Sequence, residues 1–216
     1  MARFLFLSFA LLLVYSPSGV AQQSRLTDGQ VKAAQVEVPL LVDVLALKPG
    51  MTVADVGAGF GAWTMEFSRW IGPSGRVFAT EIGAPQLAAL RDAVTREHLA
   101  NVTVVEGAAA ATNLPAACCD AIFIRDAYHH LTQPQDMLRS FAAALKPGGR
   151  LAVIDFPPRG NQVPEGVPAD RGGHGVPAAV VEREGGAVLK HLRTITDWAP
   201  KSQPSTLFLV LFQKAS

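Results

Sequence analysis

From residue 22 onward, apolar positions switch repeatedly between a helical period and short continuous runs. Val31, Ala34, Val38, Leu41, Val42 and Leu45 share one side of a helix predicted over 28–47. Pro39 is placed to kink or split that helix, and Lys48-Pro49-Gly50 to stop it. A short buried strand follows at 52–56, then a glycine turn and a helix at 63–71. Further strands are expected at 76–80, 102–105, 121–124, 150–155, 190–195 and 206–212, and helices at 85–98, 135–145 and 178–184. Strand and helix patterns in alternation predict an α/β domain, a mostly parallel sheet covered by helices. Residues 156–177 break the rhythm. Ten prolines and glycines from Pro157 to Pro177 exclude regular structure for most of this segment, and a long loop inside a compact domain is a candidate lid (157–177) or binding loop.

The first residues follow another pattern. Arg3 precedes an apolar run from Phe4 to Tyr15, Ser16-Pro17-Ser18-Gly19 ends it, and Gly19-Val20-Ala21 offers small residues for cleavage. The run is shorter than the roughly 20 residues that span a bilayer. We therefore expect a signal peptide at 1–21, a single domain at 22–216 and an exported protein, periplasmic or secreted, held at a membrane only if the segment stays uncleaved. Membrane contact is expected through this segment alone.

Composition narrows the functional classes. The chain is 49% hydrophobic, enough for one well-buried domain of 216 residues. Its net charge of +1 and the lack of Lys/Arg clusters with aromatics argue against a nucleic-acid partner. Cys118 and Cys119 are the only cysteines. Adjacent cysteines bridge only in strained geometry, so both are expected to be free thiols. They also lack the spacing of a zinc site, and no metal is expected.

The chemistry concentrates at Asp55-Val56-Gly57-Ala58-Gly59-Phe60-Gly61. A strand that enters a helix through Gly-x-Gly presents main-chain amides and lets a ligand approach the backbone closely. Gly57-x-Gly59-x-x-Ala62 also fits a dinucleotide fingerprint, so an NAD-dependent oxidoreductase must be weighed. Glu81, at the end of the second predicted strand, is placed to accept hydrogen bonds from a ribose in either ligand class. Against NAD, Tyr15 and Tyr128 are the only tyrosines, and neither has a lysine four residues later.

Three stretches in order resemble one family. Asp55 two residues before the alternating glycines, Leu114-Pro115 leading to Asp120-Ala121-Ile122-Phe123, and Leu145-Lys146-Pro147-Gly148-Gly149-Arg150-Leu151 together resemble class I S-adenosylmethionine-dependent methyltransferases, the ubiquinone/menaquinone-biosynthesis enzymes among them. The resemblance covers residues 30–156. It implies a Rossmann-like, doubly wound sheet of seven strands with an antiparallel last strand. It further implies S-adenosyl-L-methionine as cofactor, held by Asp55, Gly57, Ala58, Gly59, Gly61, Glu81, Ile82, Ala108 and Arg125, and methyl transfer to a small-molecule or lipidic acceptor. The sequence departs from the family after the third strand: Gly107 is followed by Ala108 where an acid or asparagine is common, which leaves adenine to the backbone, Asn113 or apolar packing.

Candidate bases begin where the fourth strand ends. Asp126, His129 and His130 lie there, and His174 in the Gly/Pro-rich loop is a further candidate. Arg125 is expected to bind an acidic acceptor or pair with Asp126. Adjacent histidines point apart along a chain, and no third ligand is expected near them. Trp63 and Trp70 are expected in the core and Trp198 near the acceptor. A non-catalytic exported binding protein that keeps the fold is the alternative function.

Overall fold

The computed structural model describes residues 26–198 and 206–216. The expected signal segment, 1–21, lies outside the described residues. Among those described, no helix is long and apolar enough to cross a membrane.

Helix α1 (Asp28–Leu45) starts on a reciprocal cap: the Thr27 hydroxyl accepts from the Gln30 amide, and the Gln30 side chain accepts from the Thr27 amide. Pro39 does not split it. The buried stripe Ala34, Val38, Leu41, Val42 and Leu45 runs past the proline on both sides, and its packing outweighs one lost backbone bond. The helix ends at Leu45, two residues before the expected end, and is capped by Ala46 in the left-handed conformation.

Strands β1 (Thr52–Val56), β2 (Arg76–Glu81), β3 (Val102–Glu106), β4 (Cys119–Arg125), β5 (Leu145–Asp155), β6 (Lys190–Ile195) and β7 (Phe208–Gln213) form one sheet in the order β3-β2-β1-β4-β5-β7-β6. All pairings from β3 to β5 are parallel, whereas β7 lies antiparallel between β5 and β6. This is the expected doubly wound sheet. Lys146-Pro147-Gly148-Gly149, between the helix expected to end at 145 and the strand expected from 150, instead belongs to the extended start of β5, which follows directly on helix α4 (Pro134–Ala144).

Both faces of the sheet are covered, so the central strands bury consecutive residues, such as 53–56 of β1, 121–124 of β4 and 151–155 of β5. Val53 of β1, Phe123 of β4, Ile154 of β5 and Leu211 of β7 face α1 and helix α2 (Ala62–Ile71). Ala54, Ile124, Val153 and Val210 face α4 and helix α5 (Ala178–Gly186). Helix α3 (Ala84–Arg96) buries Leu87, Leu90 and Ala93. The chain leaves β1 toward β2 and β3, then returns to β4 on the other side. At such a reversal the carboxyl ends of neighbouring strands diverge and leave a crevice.

Two further expectations change. Cys118 and Cys119 are disulfide-bonded to each other at the entry to β4 rather than free. Residues 156–177 are irregular but not loose throughout. Arg171 is fully buried and makes a two-pronged pair with Glu184 of α5, whose carboxylate also accepts from the Tyr128 hydroxyl at 2.7 Å. The second half of the expected lid is thereby fixed to the domain.

Candidate functional site

The carboxyl ends of β1, β2 and β4 border two adjoining cavities of about 350 and 340 Å³, and Gly57, Glu81 and Asp126 line both. The first is largely apolar, walled by Ile82, Gly107, Ala108, Ala111, Leu131 and Met137, with His130 at its edge. The second holds the polar groups Asp55, Gln30 and Arg125 together with Trp63 and the glycine turn. Of the expected binding residues, Asp55, Gly57, Ala58, Gly59, Glu81, Ile82, Ala108 and Arg125 all line this crevice.

The glycine turn contributes room rather than open donors. The amides of Gly57 and Ala58 both donate to the Thr80 carbonyl, that of Gly61 to Ala58, and that of Gly59 to Glu81 Oε2 at 2.9 Å. The expectation of amides open to a ligand is corrected to this extent. Gly57 has a φ of +71°, and a Cβ there would sit 2.9 Å from the Ala127 Cβ, whereas one at Gly59 would meet nothing within 4 Å. The turn is packed on its inner side and open toward the cavity. Gly61 does not line the crevice. A side chain on it would strike Leu90, so its role is close packing of α2 against α3.

Asp55 is buried, and its Oδ2 accepts from the Thr64 hydroxyl at 2.6 Å. Burial pushes its carboxyl up to about 7; the Thr64 hydroxyl opposes the shift and the charge of Glu81 adds to it. Glu81 is half-exposed and spans the turn, accepting from Gly59 with one oxygen and from its own neighbour Ile82 with the other. The two acids therefore act on each other across a single hollow.

Arg125 pairs with Glu37, not with Asp126. Its Nε lies 2.8 Å from Glu37 Oε2, and its guanidinium sits over the Trp63 ring at 4.3 Å. Glu37 also accepts from Trp63 Nε1 at 2.8 Å and Trp198 Nε1 at 2.6 Å. Trp198 is thus buried beneath the site instead of lining it, and Trp63 is part of the cavity wall. Asn113 turns away from the crevice, donating to the Glu106 carbonyl.

His129 lies behind the cavity. It is buried, its Nδ1 is 2.9 Å from Asp155 Oδ1, and its amide donates to Asp155 Oδ2. His130 is exposed at the cavity edge, and its pKa is lowered by desolvation and by the neighbouring His129 and His174. The expectation that no third group approaches the two histidines is overturned: ring nitrogens of His129, His130 and His174 lie within 4.8 Å of one another.

Residues 53–149 match the methyltransferase domain family. The chain resembles methyltransferases over this stretch, which is under half of its length. It is 33% identical over 121 residues to the ubiquinone/menaquinone biosynthesis C-methyltransferase UbiE of Ectopseudomonas mendocina, an alignment spanning 56% of this chain and 47% of that protein. The chain thus spans about half the length of the curated relatives it matches. In fold it is similar to a SAM-dependent methyltransferase from Aquifex aeolicus, with a TM-score of 0.68, 22% identity and coverage of 88% of this chain and 99% of that one. It is also similar to phosphoethanolamine N-methyltransferase 2 of Haemonchus contortus, solved in complex with S-adenosyl-L-methionine, with a TM-score of 0.65, 13% identity and coverage of 83% and 52%.

Glu37 and Asp155 escaped sequence reasoning. Each had a signal. Glu37 falls on the apolar stripe of α1 between Ala34 and Val38, where an unpaired acid would be costly. Asp155 closes a central strand at the same edge as Glu81, so the rule that marked Glu81 marks it too.

Proposed function

We propose that this chain binds S-adenosyl-L-methionine in the paired cavities and transfers its methyl group to a small-molecule or lipidic acceptor. One observation carries the reading: Asp55 and Glu81, the acids at the carboxyl ends of β1 and β2, face a common crevice divided into a polar and an apolar half. The residues fit an amino-acid-bearing nucleoside. Asp55 is a buried carboxylate for an ammonium group, and Glu81 offers acceptor oxygens to ribose hydroxyls. The space over Gly59 admits a ligand that any side chain there would displace, and Ile82, Ala108 and Met137 form an apolar slot for a base. No acid follows Gly107, so that slot recognises the base by shape and apolar contact.

When bound, the cofactor supplies a methyl group on a sulfonium. The protein's contribution is alignment and exclusion of water. Asp126 borders both cavities and is the side chain best placed to orient an acceptor or take its proton. His130, at the edge of the apolar half and with a depressed pKa, is the second candidate base. His129, although expected in that role, is walled off by Asp155 and Phe156. The modest size of the crevice favours a small acceptor.

Titration calorimetry with S-adenosylhomocysteine tests the reading. Micromolar binding that weakens in Asp55→Asn and Glu81→Gln supports it; silence at millimolar ligand with folded protein sinks it. We propose as well that residues 1–21 direct export. Cell fractionation that recovers the mature chain only in the cytosol would remove that part without touching the first.

A further inference from the structure

We propose that His129, His130 and His174 form a binding site for a divalent transition-metal ion of the zinc class, at the edge of the apolar half of the crevice and away from Asp55 and Glu81; His130 then serves as a ligand and not as a base. The chain builds this cluster from two distant segments. His129 and His130 lie on a short 3-10 turn, Tyr128–His130, directly after β4. His174 is brought in by the Gly/Pro-rich loop. There Arg159 and His174 exchange backbone hydrogen bonds at 2.7 and 3.1 Å. Gly173 and Gly175 let the two segments close up, because a Cβ on Gly173 would lie 2.5 Å from the Gly160 carbonyl and one on Gly175 would lie 2.9 Å from that of Phe156. The buried Arg171–Glu184 pair anchors the same loop three residues earlier.

The three rings converge. Their centroids are 4.0 Å apart for His129–His130, 4.7 Å for His129–His174 and 5.7 Å for His130–His174. A tetrahedral site with bonds of 2.0–2.1 Å needs nitrogens about 3.3 Å apart. The nitrogens already lie within 4.8 Å. Binding requires His130 and His174, both exposed, to turn until the remaining distance is closed.

His129 supplies an independent observation. Its Nδ1 rests on Asp155, whose oxygens also accept the His129 and Phe156 amides. A carboxylate so held is an acceptor, so Nδ1 carries the proton and Nε2 keeps its lone pair. That Nε2 is buried and has no hydrogen-bond partner among the described residues. An orphaned buried imidazole nitrogen costs free energy unless something binds it. A carboxylate on the far nitrogen is the usual support of a metal-bound histidine, since it fixes the tautomer and makes the ligand nitrogen more basic. Three neutral imidazoles suit zinc, cobalt, nickel or copper and not magnesium or calcium, which take oxygen ligands. Asp126 and Asp155 provide negative charge near the cluster without displacing the imidazoles. The ion would keep an open position on the exposed side, where His130 meets the cavity.

Cobalt(II) added to the full-length, chelator-treated protein tests the site by its visible d–d absorption, with zinc competition and metal analysis alongside. We expect stoichiometric binding, with the intense spectrum of a low-coordinate imidazole site. His174→Ala and His130→Ala should each weaken it at least tenfold, and Asp155→Asn by about 10–100-fold, the usual cost of losing such a carboxylate. His191→Ala, outside the cluster, should leave it unchanged. The buried His129→Ala variant is used only if circular dichroism shows it folded; the two exposed positions carry the test without it. Failure of folded protein to bind cobalt or zinc at high micromolar concentration overturns the proposal. So does binding that survives both His174→Ala and His130→Ala. Neither outcome depends on S-adenosylhomocysteine binding, which reads the other site.

Discussion

Trp198 Nε1 donates a 2.6 Å hydrogen bond to Glu37 Oε1, joining residues 161 positions apart beneath the cofactor crevice. The other oxygen of the same carboxylate accepts from Trp63 and Arg125. One acid on the first helix thus holds Trp63 and Arg125, both in the wall of the polar cavity, and links them to the segment before the last strand. Removing it leaves two indole N–H groups and a cation without their acceptor. We expect Glu37→Ala to cost about 3–5 kcal/mol of stability, the range for breaking a buried charge pair by deleting one partner. Glu37→Gln, which keeps one acceptor oxygen, should cost less. Urea unfolding followed by tryptophan fluorescence measures both; a loss below about 1 kcal/mol for the alanine variant would show that the cluster is not a structural tie.

Asp55 gives a pH dependence of opposite sign for folding and for binding. Its carboxyl stands at about 7 in the folded protein against 3.8 ordinarily, so the folded state holds the proton more tightly than the unfolded chain. Its ionisation costs stability above pH 7. That cost is relieved as pH falls from 7 toward 4, and below both values it no longer changes. The upper limit is about 4 kcal/mol at full ionisation. Urea midpoints of the wild type should therefore gain on those of Asp55→Asn between pH 8 and pH 5. An ammonium ligand needs the carboxylate, so S-adenosylhomocysteine affinity should fall by up to tenfold per pH unit below 7. Parallel stability profiles for the two proteins would contradict the burial of Asp55 as the cause.

The sheet was legible because its signals are local. β1, the glycine turn and Glu81 each follow from residues within one strand and the turn after it, and their order along the chain implies the crevice. What was not legible depends on distance. Whether Arg125 meets Asp126 or Glu37 depends on how α1 packs over β4, 88 residues away in sequence. The meeting of His174 with the histidine pair depends on a loop whose prolines and glycines announce irregularity but not its path. Adjacent cysteines say nothing by themselves of their bond. Pro39, a local breaker, was overruled by packing on both sides of it.

Glu81 is predicted to matter to the ligand more than to the fold. In the structure its oxygens hold the Gly59 and Ile82 amides, both at the mouth of the crevice. Ribose hydroxyls donating to the same carboxylate would add charge-assisted bonds, each about 1.5–3 kcal/mol. Glu81→Gln should weaken S-adenosylhomocysteine by about 10–100-fold with a melting temperature close to that of the wild type. Unchanged affinity would separate Glu81 from the ribose and move the nucleoside elsewhere.

Arg171 and Glu184 allow the anchor of the Gly/Pro-rich loop to be dissected. Both are buried, and Glu184 also accepts from Tyr128 at 2.7 Å, so the trio joins the loop, α5 and the turn carrying the histidine pair. Deleting one charge strands the other. Arg171→Met should destabilise by about 3–5 kcal/mol, and Glu184→Gln by a comparable or smaller amount, since it keeps an acceptor for Tyr128. The double variant Arg171→Met/Glu184→Gln carries no stranded charge and should recover part of the loss, a coupling a double-mutant cycle reads directly. Limited proteolysis adds a local readout, because release of the anchor exposes 156–177 before the domain unfolds. Strict additivity of the two single losses, with the loop no more susceptible to protease than before, would show that this pair does not hold it.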